Sequence, residues 1–300
     1  MKSYSNASAF RRALEDRLNA AAKSEGLDLQ RMRRQLAFDR LLVRLFAAKN
    51  PPWRLKGGYA LELKLAIART TRDLDLGLSS AMIPGHDLLE ILQTAAAQDT
   101  GDFFTYAIGE PSMDLDGAPY GGSRYPVVAN LDGRLFARFH LDLGLGDIQR
   151  EPWEWTESKD WLGFAGIEAG RFPSISREEH FAQKIHAYSL PRSDRANTRV
   201  KDLVDLVLLI NSEPMDLERL QRDMIDTFQR RMTHPVPMEL EAPPDFWKPI
   251  FSKLAAECLI DGNIHSQFQS VQNFCHPILR ASQSPDGIAP VRTSTFSSTD

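Results

Sequence analysis

Cysteine is scarce. Cys258 and Cys275 are the two in the chain, too few for a disulfide framework. His265 and His276 lie near them, but the order Cys, His, Cys, His lacks the tight paired spacing of a zinc site. Long apolar runs are missing as well. No window approaches the roughly 20 apolar residues of a membrane span. Met1 to Asp16 carries charges early and has no unbroken apolar stretch, so no secretory signal is expected. These absences lead to the expectation of a cytoplasmic protein with no membrane partner. Nor is there an excess of cations. The net charge of −4 excludes a general nucleic-acid coat, although a local basic patch is compatible with it. No internal repeat is visible. What the chain does have is core material: 42% hydrophobic residues in a length of 300, a normal globular share that suits one large domain or two modest ones.

The pattern divides the chain into four stretches. Residues 1–50 read as two helices. Phe10, Leu14 and Leu18 share one face with Ser8 as a cap; Leu29, Met32, Leu36, Leu42, Leu45 and Phe46 form a second stripe, ended by Pro51-Pro52. Residues 51–170 read as a mixed sheet with helices packed on it. The strands are expected at Trp53 to Lys56, Arg72 to Leu78, Phe103 to Ile108, Tyr125 to Leu131 and Leu135 to Leu143, with helices at Tyr59 to Ile67 and Asp87 to Gln98. Asp132-Gly133 is a hairpin signal. Residues 171–281 read as helical, beginning with a capping-box pattern, Ser176 and Glu179. Residues 282–300 are rich in Ser, Thr and Pro and are expected to be a disordered tail. The fold class is α+β.

The chemistry is concentrated in Lys56-Gly57-Gly58-Tyr59-Ala60-Leu61-Glu62-Leu63, followed by Arg69-Thr70-Thr71-Arg72-Asp73-Leu74-Asp75-Leu76. Residues i and i+2 of a strand point to one side. Asp73 and Asp75 therefore present two carboxylates together while Leu74 and Leu76 face a core. Like charges at that distance repel unless a cation sits between them, and Mg²⁺ (or Mn²⁺) prefers oxygen ligands completed by substrate phosphates. Gly57-Gly58, between a strand and a helix, lets the backbone approach a ligand closely, and amides at a helix start favour phosphate. A phosphate cradle beside a carboxylate pair supplies the parts of phosphoryl transfer. Asp142, in the alternating run Phe139-His140-Leu141-Asp142-Leu143, is the candidate third carboxylate, sharing metal and serving as base toward an attacking hydroxyl.

The helical stretch adds Lys184, a candidate for the β- and γ-phosphates, and a run of cations, Arg192, Arg195, Arg199 and Lys201, suited to a triphosphate or an RNA backbone. Asp202 is placed to hold Lys184 or Lys201. Other residues read more plainly. His140 and His186 are read as packing or hydrogen-bonding groups. Trp153, Trp155 and Trp161 are read as packing residues rather than base-stacking platforms. Asp205 and Glu179 are read as helix-surface or capping groups.

Gly57-Gly58, Thr71-Arg72-Asp73-Leu74-Asp75, Leu141-Asp142-Leu143-Gly144, Lys184 and Arg199-Val200-Lys201-Asp202-Leu203 together resemble the AbiEii/AbiGii (MenT-type) nucleotidyltransferase toxins, over roughly residues 38 to 210. Each glycine pair or Asp-x-Asp alone is a weak signal; the ordered combination is specific. The resemblance implies a DNA polymerase β-type nucleotidyltransferase core followed by a C-terminal helical bundle, with NTP and Mg²⁺ bound in a cleft between them. It implies the toxic half of a type IV-like toxin–antitoxin or phage-exclusion system with a cognate antitoxin as partner. Some members add nucleotides to the 3′ end of tRNA and so block aminoacylation. On that pattern Asp73 and Asp75 hold the metal, Lys184 contacts the triphosphate, and Asp202 is a further essential residue. Thr71 matches a Ser/Thr position that a kinase antitoxin phosphorylates in some systems. Many relatives carry Gly-Ser where this chain has Gly57-Gly58, which removes a hydroxyl able to hold a phosphate. Two alternatives stand beside this reading: a nucleotidyltransferase whose acceptor is a protein or small molecule, and a non-catalytic module that binds a nucleotide or a partner.

Overall fold

The computed structural model describes residues 4–65, 67–78, 88–115, 118–147, 150–192 and 196–283. Two compact units divide the chain, Met1–Ala66 with Thr70–Ile175, and Ile67–Arg69 with Ser176–Asp300.

The first unit begins with two helices, α1 (Ala7–Glu25) and α2 (Leu29–Leu45). Asn6 caps α1 through its side chain, accepting from the Ala9 amide, in place of the expected Ser8. An asparagine just ahead of the helix reaches the N3 amide equally well. Strands β1 (Trp53–Lys56), β2 (Asp73–Leu78), β3 (Phe104–Ile108), β4 (Met113–Asp114), β5 (Gly122–Leu131), β6 (Arg134–Leu145), β7 (Glu154–Glu157) and β8 (Arg171–Ser174) form one mixed sheet in the order β3-β5-β6-β2-β1-β8-β7, with β4 added to β5. The expected strands are all present. β4, β7 and β8 are additional. Helix α3 (Gly57–Lys64) follows β1, starting and ending earlier than the expected Tyr59 to Ile67, and α4 (Leu88–Ala96) precedes β3.

The N-terminal helices are not a separate body. Phe10, Leu14, Met32, Leu36 and Phe38 join Leu74, Leu76, Leu141 and Leu143 in one core. The Phe38 ring meets Phe139 edge-on with centroids 4.7 Å apart, so α2 covers the leucine face of β2 and β6. Each fully buried leucine contributes about 1.5–3 kcal/mol.

Polar pins fix α2 further. Asp102 is fully buried and takes bidentate hydrogen bonds from Arg44 at 2.9 and 2.7 Å and another from Arg40 at 2.6 Å. Burial alone would raise its pKa; the two guanidinium groups override that and hold it at about 2. Asp39 accepts from the Tyr59 hydroxyl and, at 2.9 Å, from the Trp161 indole. Here burial wins and pushes the carboxyl up to about 7 despite both donors. Trp161 is thus a packing residue. Trp153 lies 3.5 Å from the Arg54 guanidinium. Trp155, by contrast, is 58% exposed on the edge strand β7.

The second unit is helical: α5 (Arg177–Ser189), α6 (Val200–Asn211), α7 (Leu217–Arg231), α8 (Lys248–Glu257) and α9 (Ile264–Ala281). Ser176 caps α5 by accepting from the Glu179 amide, as the capping pattern expects. The Ser/Thr-rich stretch reaches the described residues only at Ser282 and Gln283; residues 284–300 lie outside them. No described helix is long and apolar enough to cross a membrane.

Candidate active site

In the first unit, β2 and β6 run parallel with Asp73 opposite His140 and Asp75 opposite Asp142. Leu74, Leu76 and Leu141 are fully buried and Leu143 nearly so, which turns all three aspartates to the other face of the sheet. Gly57 opens α3 with φ +67°, a conformation that costs little only for glycine. A Cβ there would fall on the Asp75 carboxylate. Gly57 is the first residue of α3, so the helix starts beside that carboxylate.

Lys56 and Arg124 stand beside these carboxylates on the same face. Lys56 lies opposite Asp75 in the antiparallel β1–β2 pair. Its ammonium donates to Asp147 at 2.7 Å and passes over Gly144, where a Cβ would stand 2.8 Å from it. Arg124 lies opposite Asp142 on β5. Its guanidinium donates to both Asp142 oxygens, at 2.7 and 2.6 Å, and stands 3.5 Å from Asp73. Those hydrogen bonds raise the already high arginine pKa further. One row across four strands therefore reads Lys56, Asp75, Asp142, Arg124. His140 Nδ1 is 3.3 Å from Asp73 Oδ1, a hydrogen-bonding role. Among the described residues no group of three His, Cys, Asp or Glu side chains is gathered at metal-holding distance. Asp142 instead faces the arginine.

Thr71 is buried; its amide donates to Glu62 at 2.6 Å and its hydroxyl to the Asp73 carbonyl at 3.3 Å. The hydroxyl therefore braces the start of β2.

In the second unit Lys184 on α5 is buried and pairs with Asp202 at 3.0 Å and Asp205 at 2.6 Å. Asp205 also receives a bidentate Arg69, at 2.8 and 2.7 Å. This corrects the reading of Asp205 as a surface group: it is 1% exposed and the centre of the network. Glu179 is likewise buried, accepting from Gln183 at 3.1 Å. Burial would raise the Asp205 pKa, but Arg69 and Lys184 lower it on balance. For Lys184 burial works against the charge, and Asp205 and Asp202 outweigh it, so its pKa rises. Arg199 stands 3.7 Å from Asp202. Lys201 is exposed, Arg192 is half-buried, and Arg195 lies outside the described residues.

Gly57, Gly58, Thr71, Asp73, Asp75 and Asp142 thus belong to one unit, and Lys184, Arg199, Lys201 and Asp202 to the other. Arg124, Lys56 and Asp205 were not singled out from sequence as site residues. Lys56 sits directly before the glycine pair, and Asp205 follows Asp202 at i+3, on one helix side; those spacings were usable signals. Arg124 had none, because its register depends on a bulge.

Comparison with known proteins agrees with this architecture. No curated protein matches the chain. Among solved structures, MenT4, a nucleotidyltransferase toxin from Mycobacterium tuberculosis, superposes with a TM-score of 0.56 at 16% identity, covering 89% of this chain and 99% of MenT4. JHP933 from Helicobacter pylori matches at 15% identity over 85% of this chain and 95% of its own, with a TM-score of 0.43. The first likeness establishes a shared fold. Residues 40–267 match the family described as nucleotidyl transferase AbiEii toxin, type IV toxin–antitoxin system. That match spans most of the chain, which therefore belongs to the AbiEii nucleotidyltransferase toxin family.

Proposed function

We propose that the protein is a divalent-metal-dependent enzyme that transfers NMP from an NTP to the 3′ end of a tRNA. It would act as a toxin in phage defence and be restrained by a cognate antitoxin. The observation that carries the chemical part is the carboxylate face: Asp73, Asp75 and Asp142 on adjacent parallel strands, turned to one side, with a glycine where a Cβ would strike Asp75. Carboxylate oxygens are the donor set Mg²⁺ or Mn²⁺ takes, so the paired Asp73 and Asp75, turned to one face, fit such an ion. When bound, it supplies charge neutralisation and polarisation of the phosphoryl oxygens.

The chain's own groups do the rest. Asp73 and Asp75 would hold the ion, and Asp142 is the third carboxylate that could share it. The amides at Gly57 and Gly58 meet phosphate oxygens. An acceptor hydroxyl attacks the α-phosphorus, the new P–O bond forms, the bond to the bridging oxygen breaks, and pyrophosphate leaves. Asp142 takes the hydroxyl proton. Lys184, steadied by Asp202, contacts the triphosphate, and Arg199 and Lys201 supply further cationic contacts to the triphosphate or RNA backbone. Phosphorylation of Thr71 would oblige its hydroxyl to leave the Asp73 carbonyl and place a dianion beside the carboxylates, restraining the enzyme by repulsion.

Incubating purified protein with α-labelled NTPs and total RNA tests this. Label on RNA of tRNA size with the wild type, and none with Asp73→Ala, is expected. No label on any RNA with either protein refutes it, and label on a protein band or a soluble adduct instead assigns a different acceptor.

A further inference from the structure

Asp142 is asked to serve a divalent cation, yet both of its oxygens are engaged by one guanidinium, at 2.7 and 2.6 Å. The same guanidinium stands 3.5 Å from Asp73. Its side chain is 25% exposed, so it is reachable by solvent and has room to move. Arginine stays protonated at any working pH, so it can quit the carboxylates only by swinging away. Lys56, opposite Asp75, does not compete in this way, since it is tied to Asp147 at 2.7 Å.

We propose that Arg124 is a built-in counter-ion for the carboxylate face: it occupies Asp142 in the metal-free protein and must swing off before a divalent cation can be held there. Arg124 thus sets how much divalent ion the enzyme requires. This rests on the metal-dependent reading above, and extends it to a residue outside the Asp-x-Asp motif. Anchored on β5, a neighbouring strand, Arg124 offsets one of the three carboxylate charges without an ion and so lessens the repulsion between β2 and β6. A bidentate charge-assisted contact is strong, but partial exposure weakens it. Its removal is therefore expected to change ion affinity by about tenfold rather than by orders of magnitude.

The test is calorimetric titration of the full chain with MnCl₂ alone, without nucleotide, on the wild type, Arg124→Gln, Arg124→Lys and Asp75→Asn. Arg124→Gln should bind Mn²⁺ about tenfold more tightly than the wild type, because the competing charge is gone. Arg124→Lys, which keeps the charge but lacks the fork, should lie between them. A structural salt bridge lost without competition would not tighten ion binding, so the direction separates the two roles. Unchanged or weaker binding in Arg124→Gln, with binding intact in the wild type and lost in Asp75→Asn, overturns the proposal and leaves the metal site standing. Absence of Mn²⁺ binding in every protein, Arg124→Gln included, overturns both.

Discussion

Replacing Asp205 by Asn isolates the electrostatics of the helical unit. The side chain is 2% exposed and meets Lys184, 10% exposed, at 2.6 Å and Arg69, 9% exposed, at 2.7 Å. Removing one partner of a buried pair costs about 3–5 kcal/mol, because the other charge is left buried. Asn keeps the shape and Asp202 remains on Lys184 at 3.0 Å, so the lower end, about 3 kcal/mol, applies. With a urea slope of about 2 kcal/mol per molar, the unfolding midpoint should fall by about 1.5 M. The assay is urea denaturation followed by far-ultraviolet circular dichroism at pH 7. Glu218→Gln serves as a control: its partner Arg222 is 4.0 Å away and both are well exposed, so its midpoint should stay with the wild type. The pH dependence adds a second arm. The folded-state pKa of Asp205 is depressed, so its stabilisation is present above the ordinary carboxylate pKa and is lost as pH falls through the folded value. The gap between wild type and Asp205→Asn should therefore narrow in acid. A midpoint change below about 0.3 M, or a gap that persists unchanged into strong acid, would refute the reasoning.

Other outcomes follow from the first unit. Asp39, raised to about 7 by burial, has the opposite sign to Asp205. Its stabilisation is complete below the ordinary carboxylate pKa and is lost as pH rises through the folded value. Unfolding free energy measured from about pH 4 to about pH 8 should lose a downward component in Asp39→Asn, and an unchanged profile contradicts the assignment. Asp102→Asn, which strips the shared anion from Arg40 and Arg44, should cost about 3–5 kcal/mol in thermal unfolding. Its nucleotide transfer per folded molecule at low temperature should match the wild type. Gly57→Ala should abolish label transfer, since its Cβ displaces Asp75 and its φ of +67° is strained; retained activity would remove the cradle from the account.

Much of the site's frame was legible because it depends on strict local periods. Asp73 and Asp75 had to share a face once β2 was a strand, and Leu74 and Leu76, alternating with them, gave the buried side. The Asp132-Gly133 hairpin was readable from its left-handed residues, with φ of +55° and +65°. Register across that hairpin was not. An unbroken ladder from the turn would set Arg124 opposite Leu141, on the core face. The shift between Ala129 and Asn130 sets it opposite Asp142 instead. One inserted residue thus decided whether an arginine met the carboxylates, and no local signal marks it. Strands β7 and β8 were missed because Glu154–Glu157 and Arg171–Ser174 are short and mixed in character. Their pairing comes from each other and from Leu55, opposite Ser174. Asp205 was misread because Arg69, its partner, is 136 residues away in sequence, and helix periodicity carries no information about such a contact.

The direct test of the carboxylate face is a crystal structure with Mn²⁺ and a non-hydrolysable NTP, located by the anomalous signal of the ion. A manganese peak is expected within coordination distance of Asp73 and Asp75, with the analogue's phosphates beside it. A peak elsewhere, with these two carboxylates turned away from the ion and the nucleotide, would contradict it.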